Sequence, residues 1–253
     1  MPASNKVWFI TGAASGFGRA FAEYALSHGH RVAAAAACPT GLQDLAARAP
    51  DRVALLTLDF TRSGDAESAV AETLSRFGRL DVLINTPSYG ATGTLEDVTD
   101  AELRSLMEAN FYGVMAVTRA ALPTYRAQRC GAIVNILSMG EPLSAAFFRA
   151  HAAGTFALDG ASEALAQEMA PFGVRVLIVE PGQFRTDLPS SEAHSPVGDP
   201  AKAAAAVETA LEADVTPLRL ALGGDAVDAM RHHCQTMLAD LAKWEPISRA
   251  TSY

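Results

Sequence analysis

The chain is poor in the features that would place it outside the ordinary globular enzymes. It has three cysteines in 253 residues, Cys38, Cys130 and Cys234. They are odd in number and far apart, which argues against a disulfide framework or a zinc-type ligand spacing, and they read as reduced thiols of a cytoplasmic protein. No apolar run is long enough to cross a bilayer, so no membrane partner is expected. The polar start, Met1–Lys6, is not a signal peptide. Positive charge is also scarce: 20 Lys and Arg face 28 Asp and Glu, for a net charge of −8, which argues against a nucleic-acid partner. His232 and His233 adjoin on an expected helix and point to different faces, so no metal site is expected there. Internal repeats and low-complexity tails are absent, and Pro189–Asp199 is the only linker-like stretch.

What is present is an alternation of strand and helix patterns within about half apolar residues. Strands are expected at Lys6–Thr11, His30–Ala37, Val53–Asp59, Val82–Asn85, Ala132–Leu137, Arg175–Glu180 and Leu218–Gly223. Helices are expected at Gly16–Ser27, Thr40–Ala49, Asp65–Phe77, Asp100–Leu122 (capped by Thr99 or Asp100), Ala145–Ala170 and Asp225–Lys243. This alternation predicts one α/β domain over 1–253, a Rossmann-like, doubly wound parallel sheet of about seven strands in the order 3-2-1-4-5-6-7.

The first motif is Thr11-Gly-Ala-Ala-Ser15-Gly16-Phe17-Gly18. It follows a strand and opens a helix, as a phosphate-binding turn must. Gly12 permits the tight turn, Gly16 a close backbone approach to a pyrophosphate, and Gly18 close packing of helix on sheet. A plain glycine-rich connector is the simpler alternative.

The spacing T-G-x-x-x-G-x-G resembles that of the short-chain dehydrogenase/reductase family, and further matches follow in order along nearly the whole chain. Leu58-Asp59-Phe60-Thr61 is similar to the family's adenine-contacting segment. Capping of the next helix by Asp59 or Thr61 is compatible with that role. Asn110-Phe111-Tyr112-Gly113 resembles the N-x-x-G of the central helix, whose asparagine organises a relay water. Ile133-Val134-Asn135-Ile136-Leu137-Ser138 ends like the strand bearing the family's serine. Val179-Glu180-Pro181-Gly182-Gln183-Phe184-Arg185-Thr186 is similar to the P-G-x-x-x-T turn at the nicotinamide end of the cofactor. Gly198–Lys202 and Leu218–Ala221 look like a bacterial subgroup. The resemblance implies catalytic roles for Ser138 and Asn110, and cofactor contacts from Gly12, Ser15, Gly16, Phe17, Gly18, Asp59, Asn85, Pro181, Gly182 and Thr186.

The departures gather around the chemistry. The family's Tyr and Lys, one helical turn apart, fall on His151 and Thr155, anchored by Phe156-Ala157-Leu158. The N-N-A-G turn reads Asn85-Thr86-Pro87-Ser88. The second strand ends Ala33–Ala37, Cys38, Pro39, without the charge that usually meets a ribose hydroxyl or 2′-phosphate. The substrate-loop region, 188–199, is short, leaving the site open or covered by something else such as a partner subunit.

A tyrosine titrates near 10 and needs a neighbouring cation to work at neutral pH, whereas a histidine titrates near 6.5 and needs none. Replacing both residues is therefore chemically coherent. It also removes a charged hydrogen bond to the cofactor worth about 1.5–3 kcal/mol. NAD or NADP is expected to bind weakly or not at all, and no metal is expected. Three functions fit. The favoured one is acid/base chemistry by His151 without redox turnover, as in a lyase, isomerase or cyclase, on a hydrophobic ketone or polyketide-like molecule. The second is an NAD(P)-dependent oxidoreductase with His151 as proton donor, and the third a non-catalytic ligand-binding protein. Ser138 and His151 also form a conceivable nucleophilic pair, although Glu141 and Glu180 are near only in sequence. Phe147, Phe148, Phe184 and Tyr89 are candidates for a hydrophobic pocket or for core, and Arg149 for surface. The alanine-rich faces of the two long helices suit packing into a homodimer or homotetramer.

Overall fold

The computed structural model describes residues 5–87, 96–137, 149–184 and 198–251, with the side chains of residues 149–151 left out. Seven strands form one parallel sheet: β1 (Val7–Ile10), β2 (Arg31–Ala36), β3 (Val53–Thr57), β4 (Val82–Asn85), β5 (Gly131–Ile136), β6 (Val174–Pro181) and β7 (Arg219–Leu222). Their order is β3-β2-β1-β4-β5-β6-β7, as the alternating pattern predicts. The register pairs Phe9 with Ala33 and Leu83, and Ile133 with Leu83 and Val176. The inner strands are apolar without alternation because helices cover both faces of the sheet.

One face is covered by α1 (Gly16–Ser27), α2 (Gln43–Arg48) and α7 (Pro200–Glu212), over a core including Trp8, Ile10, Ala34, Ile84, Val134 and Leu177. The other is covered by α3 (Asp65–Phe77), α5 (Gly113–Gln128) and α6 (Arg149–Met169), over Phe9, Ala33, Leu83, Ile133 and Val176. Adjacent β2 alanines thus serve opposite cores, as the two-residue period of a strand requires. On the first face, the buried His30 ring receives the Lys6 backbone N–H at 3.2 Å, and its Nε2 lies 2.8 Å from Glu208. Tyr24 donates to the same carboxylate at 2.7 Å, so α1, α7 and the edge of β2 are tied through one group.

Several elements depart from expectation. The continuous helix expected over Asp100–Leu122 is α4 (Asp100–Met107), a π-helical turn (Glu108–Tyr112) and α5. Thr99 caps α4 in a reciprocal capping box with Glu102. The wider turn is followed by a close approach: a Cβ on Gly113 would lie 2.3 Å from the Phe60 side chain. Helix α7 is the second. Asp199 caps it by accepting from the Ala201 N–H at 2.9 Å, and Pro200 occupies its first turn. The last helix, α8, runs from Gly224 to Arg249, past the expected end at Lys243.

Candidate active site

Strand order reverses between β1 and β4, which opens a crevice at their carboxyl ends where α/β sheets take their ligands. The glycine turn lies there. Gly12 has φ +60° and Gly16 φ +52°, in the left-handed region that favours glycine. A Cβ on Gly18 would lie 2.3 Å from the Gly12 carbonyl oxygen, so that glycine sets how closely α1 approaches the turn. The turn is pinned to both neighbouring strands. Thr11 N–H donates to Ile84 O at 2.9 Å, and Ala13 N–H to Ala35 O at 3.0 Å. Just after β4, Thr86 donates twice: its N–H to Thr11 Oγ1 at 3.0 Å and its hydroxyl to Thr11 O at 2.6 Å. Ser15 precedes α1 in extended conformation and makes no side-chain cap, and the first turn holds no acidic residue. The positive end of the helix dipole is therefore left to an anion.

Beside this cradle, Arg19 is committed elsewhere. It donates to Glu23 at 2.9 Å and to Asp44 Oδ1 at 2.8 Å, and these partners hold the guanidinium pKa above its usual range. The β2 end is neutral, with exposed Cys38 3.0 Å from the Thr40 hydroxyl. That hydrogen bond draws the thiol pKa down. Asp59 accepts from the Thr61 hydroxyl at 2.7 Å and from its N–H at 3.0 Å, which lowers the carboxyl pKa. It does not cap α3, whose N-cap is Gly64.

On the chemical side of the crevice, the structure puts Asn85 inside the protein. Its side chain is 0 % exposed and donates to Asn135 at 2.8 Å and to Thr118 at 3.4 Å. Asn135 in turn donates to Ser162 at 2.8 Å, and Ser162 to Leu158 O at 2.6 Å. Asn85 thus braces β4, β5, α5 and α6, and its side chain is not a member of the cradle. Asn110 is buried in the π-helical turn. A Cβ on Gly154 would stand 3.0 Å from the Asn110 Cβ, so α6 approaches that turn through a glycine. Thr155, where the family lysine falls, is 7 % exposed on α6. The His151 backbone belongs to the first turn of α6, one helical turn before Thr155. Its side chain, together with Ser138 and Thr186, lies outside the described residues, as do Tyr89, Glu141, Phe147 and Phe148.

At the end of β6, Pro181 and Gly182 form the turn expected beside a nicotinamide. Sequence reasoning missed the residue that holds it. Asp225, in the first turn of α8, accepts from Gln183 N–H at 2.7 Å, and a Cβ on Gly182 would lie on the same carboxylate. The only signal was an aspartate directly after Gly223-Gly224. Phe184 packs its ring 5.1 Å from Phe17 and forms a parallel bridge with Gly198, joining the glycine turn to the approach to α7. Glu180 sits half-buried before the turn. Burial raises its carboxyl pKa, Arg219 opposes that rise and Asp159 adds to it, and its Oε2 has no hydrogen-bond partner among the described residues. Arg219 itself bridges to Asp159 at 2.7 Å and Glu163 at 2.9 Å.

Comparison with known proteins agrees with this geometry. The short chain dehydrogenase profile matches residues 6–196. The chain belongs to that family. It is 34 % identical to the oxidoreductase BOA17 of Botryotinia fuckeliana, over 98 % of this chain and 100 % of that protein. The crystal structure of a short-chain dehydrogenase from Streptomyces avermitilis superposes with a TM-score of 0.91 at 44 % identity, covering 99 % of this chain and 100 % of that one. A 3-ketoacyl-(acyl-carrier-protein) reductase from Brucella melitensis, solved with NADH, superposes with a TM-score of 0.79 at 25 % identity, over 87 % and 96 % of the two chains. Among the described residues no three His, Cys, Asp or Glu side chains cluster as a metal site. No described helix is long and apolar enough to cross a membrane.

Proposed function

We propose that the protein is an NAD(P)-dependent oxidoreductase of a hydrophobic carbonyl or alcohol, with the His151 imidazole handling the proton. The carrying observation is the undamaged glycine cradle at the switch point, whose turns and close approaches leave no room for side chains at Gly12 and Gly18. The backbone of Gly12, Ser15, Gly16, Phe17 and Gly18 would hold the pyrophosphate, and Asp59 the adenine. Pro181 and Gly182 would face the nicotinamide, held in place by Asp225. When bound, the dinucleotide supplies hydride exchange. The protein supplies orientation by Ser138, a proton at His151 and a buried polar relay at Asn110. Sequence alone favoured chemistry without redox turnover. The intact cradle, with relatives named as oxidoreductases, shifts the reading to redox. Fluorescence titration with NADH and NADPH tests it: binding of one of them, with turnover that falls in His151→Ala, is the expected result, and failure of both to bind rejects it.

One observation favours the second reading. Thr155 is small, uncharged and nearly buried, so no lysine cation grips the nicotinamide ribose. A lyase, isomerase or cyclase acting through His151 on a ketone needs no such grip. Turnover of a ketone substrate without added dinucleotide would establish it. For assembly, a homodimer or homotetramer through α5 and α6 is supported by Tyr112, at the end of the π-helical turn that leads into α5, and Phe156 on α6, which are 53 % and 55 % exposed.

A further inference from the structure

Helix α8 is anchored at one end only. Ala226 is buried, Ala229, Met230 and His233 are half-buried, and every residue from Cys234 to Ala250 is exposed. Yet this helix is rich in exposed large apolar side chains: Val227, Met237, Leu238, Leu241, Trp244 and Ile247 are 40–64 % exposed. Apolar residues recur along it at Val227, Met230, Cys234, Met237, Leu241 and Trp244, in steps of three and four. This spacing matches the seam of a two-helix coiled coil. Pro246 falls on the side away from the seam, where its ring disturbs no partner.

We propose that α8 pairs antiparallel with α8 of a second copy of this chain. Charge selects both partner and direction. Antiparallel pairing across a two-fold axis near Leu238 and Ala239 sets Arg231 against the second copy's Glu245, twice, and Leu238 against its own counterpart. One like-charge meeting, Asp240 with its counterpart, is the exception. A parallel pair would instead set Asp240 against Glu245, twice. The apolar side chains offer roughly 600–700 Å² per protomer, close to the about 800 Å² that a standard interface buries on each partner. A lone helix of this length is marginal in water, so a mate also explains why the sequence keeps it helical. An anionic membrane is the poorer occupant. The helix carries Asp225, Asp228, Asp240 and Glu245 against Arg231, Lys243 and Arg249, and lacks the basic polar face that such binding uses. This pairing uses a face separate from α5 and α6 and does not depend on the enzymatic reading.

The test is sedimentation equilibrium of the full chain. Leu241→Glu should halve the mass of the wild-type assembly while circular dichroism stays unchanged. Arg231→Glu and Glu245→Arg should each weaken self-association about threefold to tenfold, and the double reversal should restore it. The two residues lie about 21 Å apart along one helix, so rescue within a single chain has no route. A mass unaffected by Leu241→Glu, a double reversal without rescue, or flotation of the protein with anionic vesicles lost in Leu241→Glu would each overturn the proposal.

Discussion

The two halves of the crevice are built from different materials. The half at β1 and α1 grips through backbone: positive-φ glycines, a helix end, and main-chain bonds from β2 and β4. The half at α6 is built from side chains: Thr155, Asn110 and the Asn85–Asn135–Ser162 network, with His151 proposed to act beside them. A backbone cradle tolerates change in most neighbouring side chains, because its donors belong to every residue. A side-chain site is rewritten by two substitutions. On the proposed reading, the phosphate half keeps the family's glycine spacing, while the family's Tyr and Lys positions hold His151 and Thr155.

The contrast can be broken from either side. His151→Ala should lower turnover by about 10²–10⁴-fold and leave dinucleotide affinity unchanged, since proton transfer is a side-chain task; steady-state kinetics beside fluorescence titration separates the two. Gly18→Val should do the reverse, weakening binding of the reduced cofactor by roughly 100-fold, about 2.7 kcal/mol, because the added Cβ meets the Gly12 carbonyl. Restoring the family pair with His151→Tyr and Thr155→Lys should tighten the cofactor by about 10- to 100-fold, the value of a charged hydrogen bond to the ribose.

Two smaller effects sharpen the same comparison through pH. Burial raises the Glu180 carboxyl, so ionising it opposes folding; its contribution is full below the unfolded carboxylate pKa and is lost as pH rises through the higher folded value. Glu180→Gln should therefore raise the melting temperature at pH 7 to 8, by about 1 kcal/mol of stability, and leave it unchanged near pH 4. Glu208 behaves oppositely. Desolvation pushes its carboxyl up, but hydrogen bonds from Tyr24 and His30 outweigh it and lower the pKa. Its stabilisation is present above the unfolded pKa and fades as pH falls through the lower folded one. Glu208→Gln should flatten the acid limb of a thermal-melt series below about pH 4.5.

The sequence by itself determined the sheet. Apolar runs bounded by Gly and Pro located all seven strands, and α1, α3 and β4 have the expected bounds, because parallel strands and amphipathic helices write their periods locally. It also marked the glycine turn, whose backbone demands only glycine meets. The tertiary structure alone decided what depends on residues far apart in the chain. The π-helical turn at Asn110 arises where Gly113 meets Phe60. The Asn85 side chain, expected at the cofactor, turns inward to donate to Asn135 and Thr118. Asp225 holds the Pro181-Gly182 turn because β6 and β7 bring residues 42 positions apart together. Such contacts carry no period, so only the folded chain reveals them.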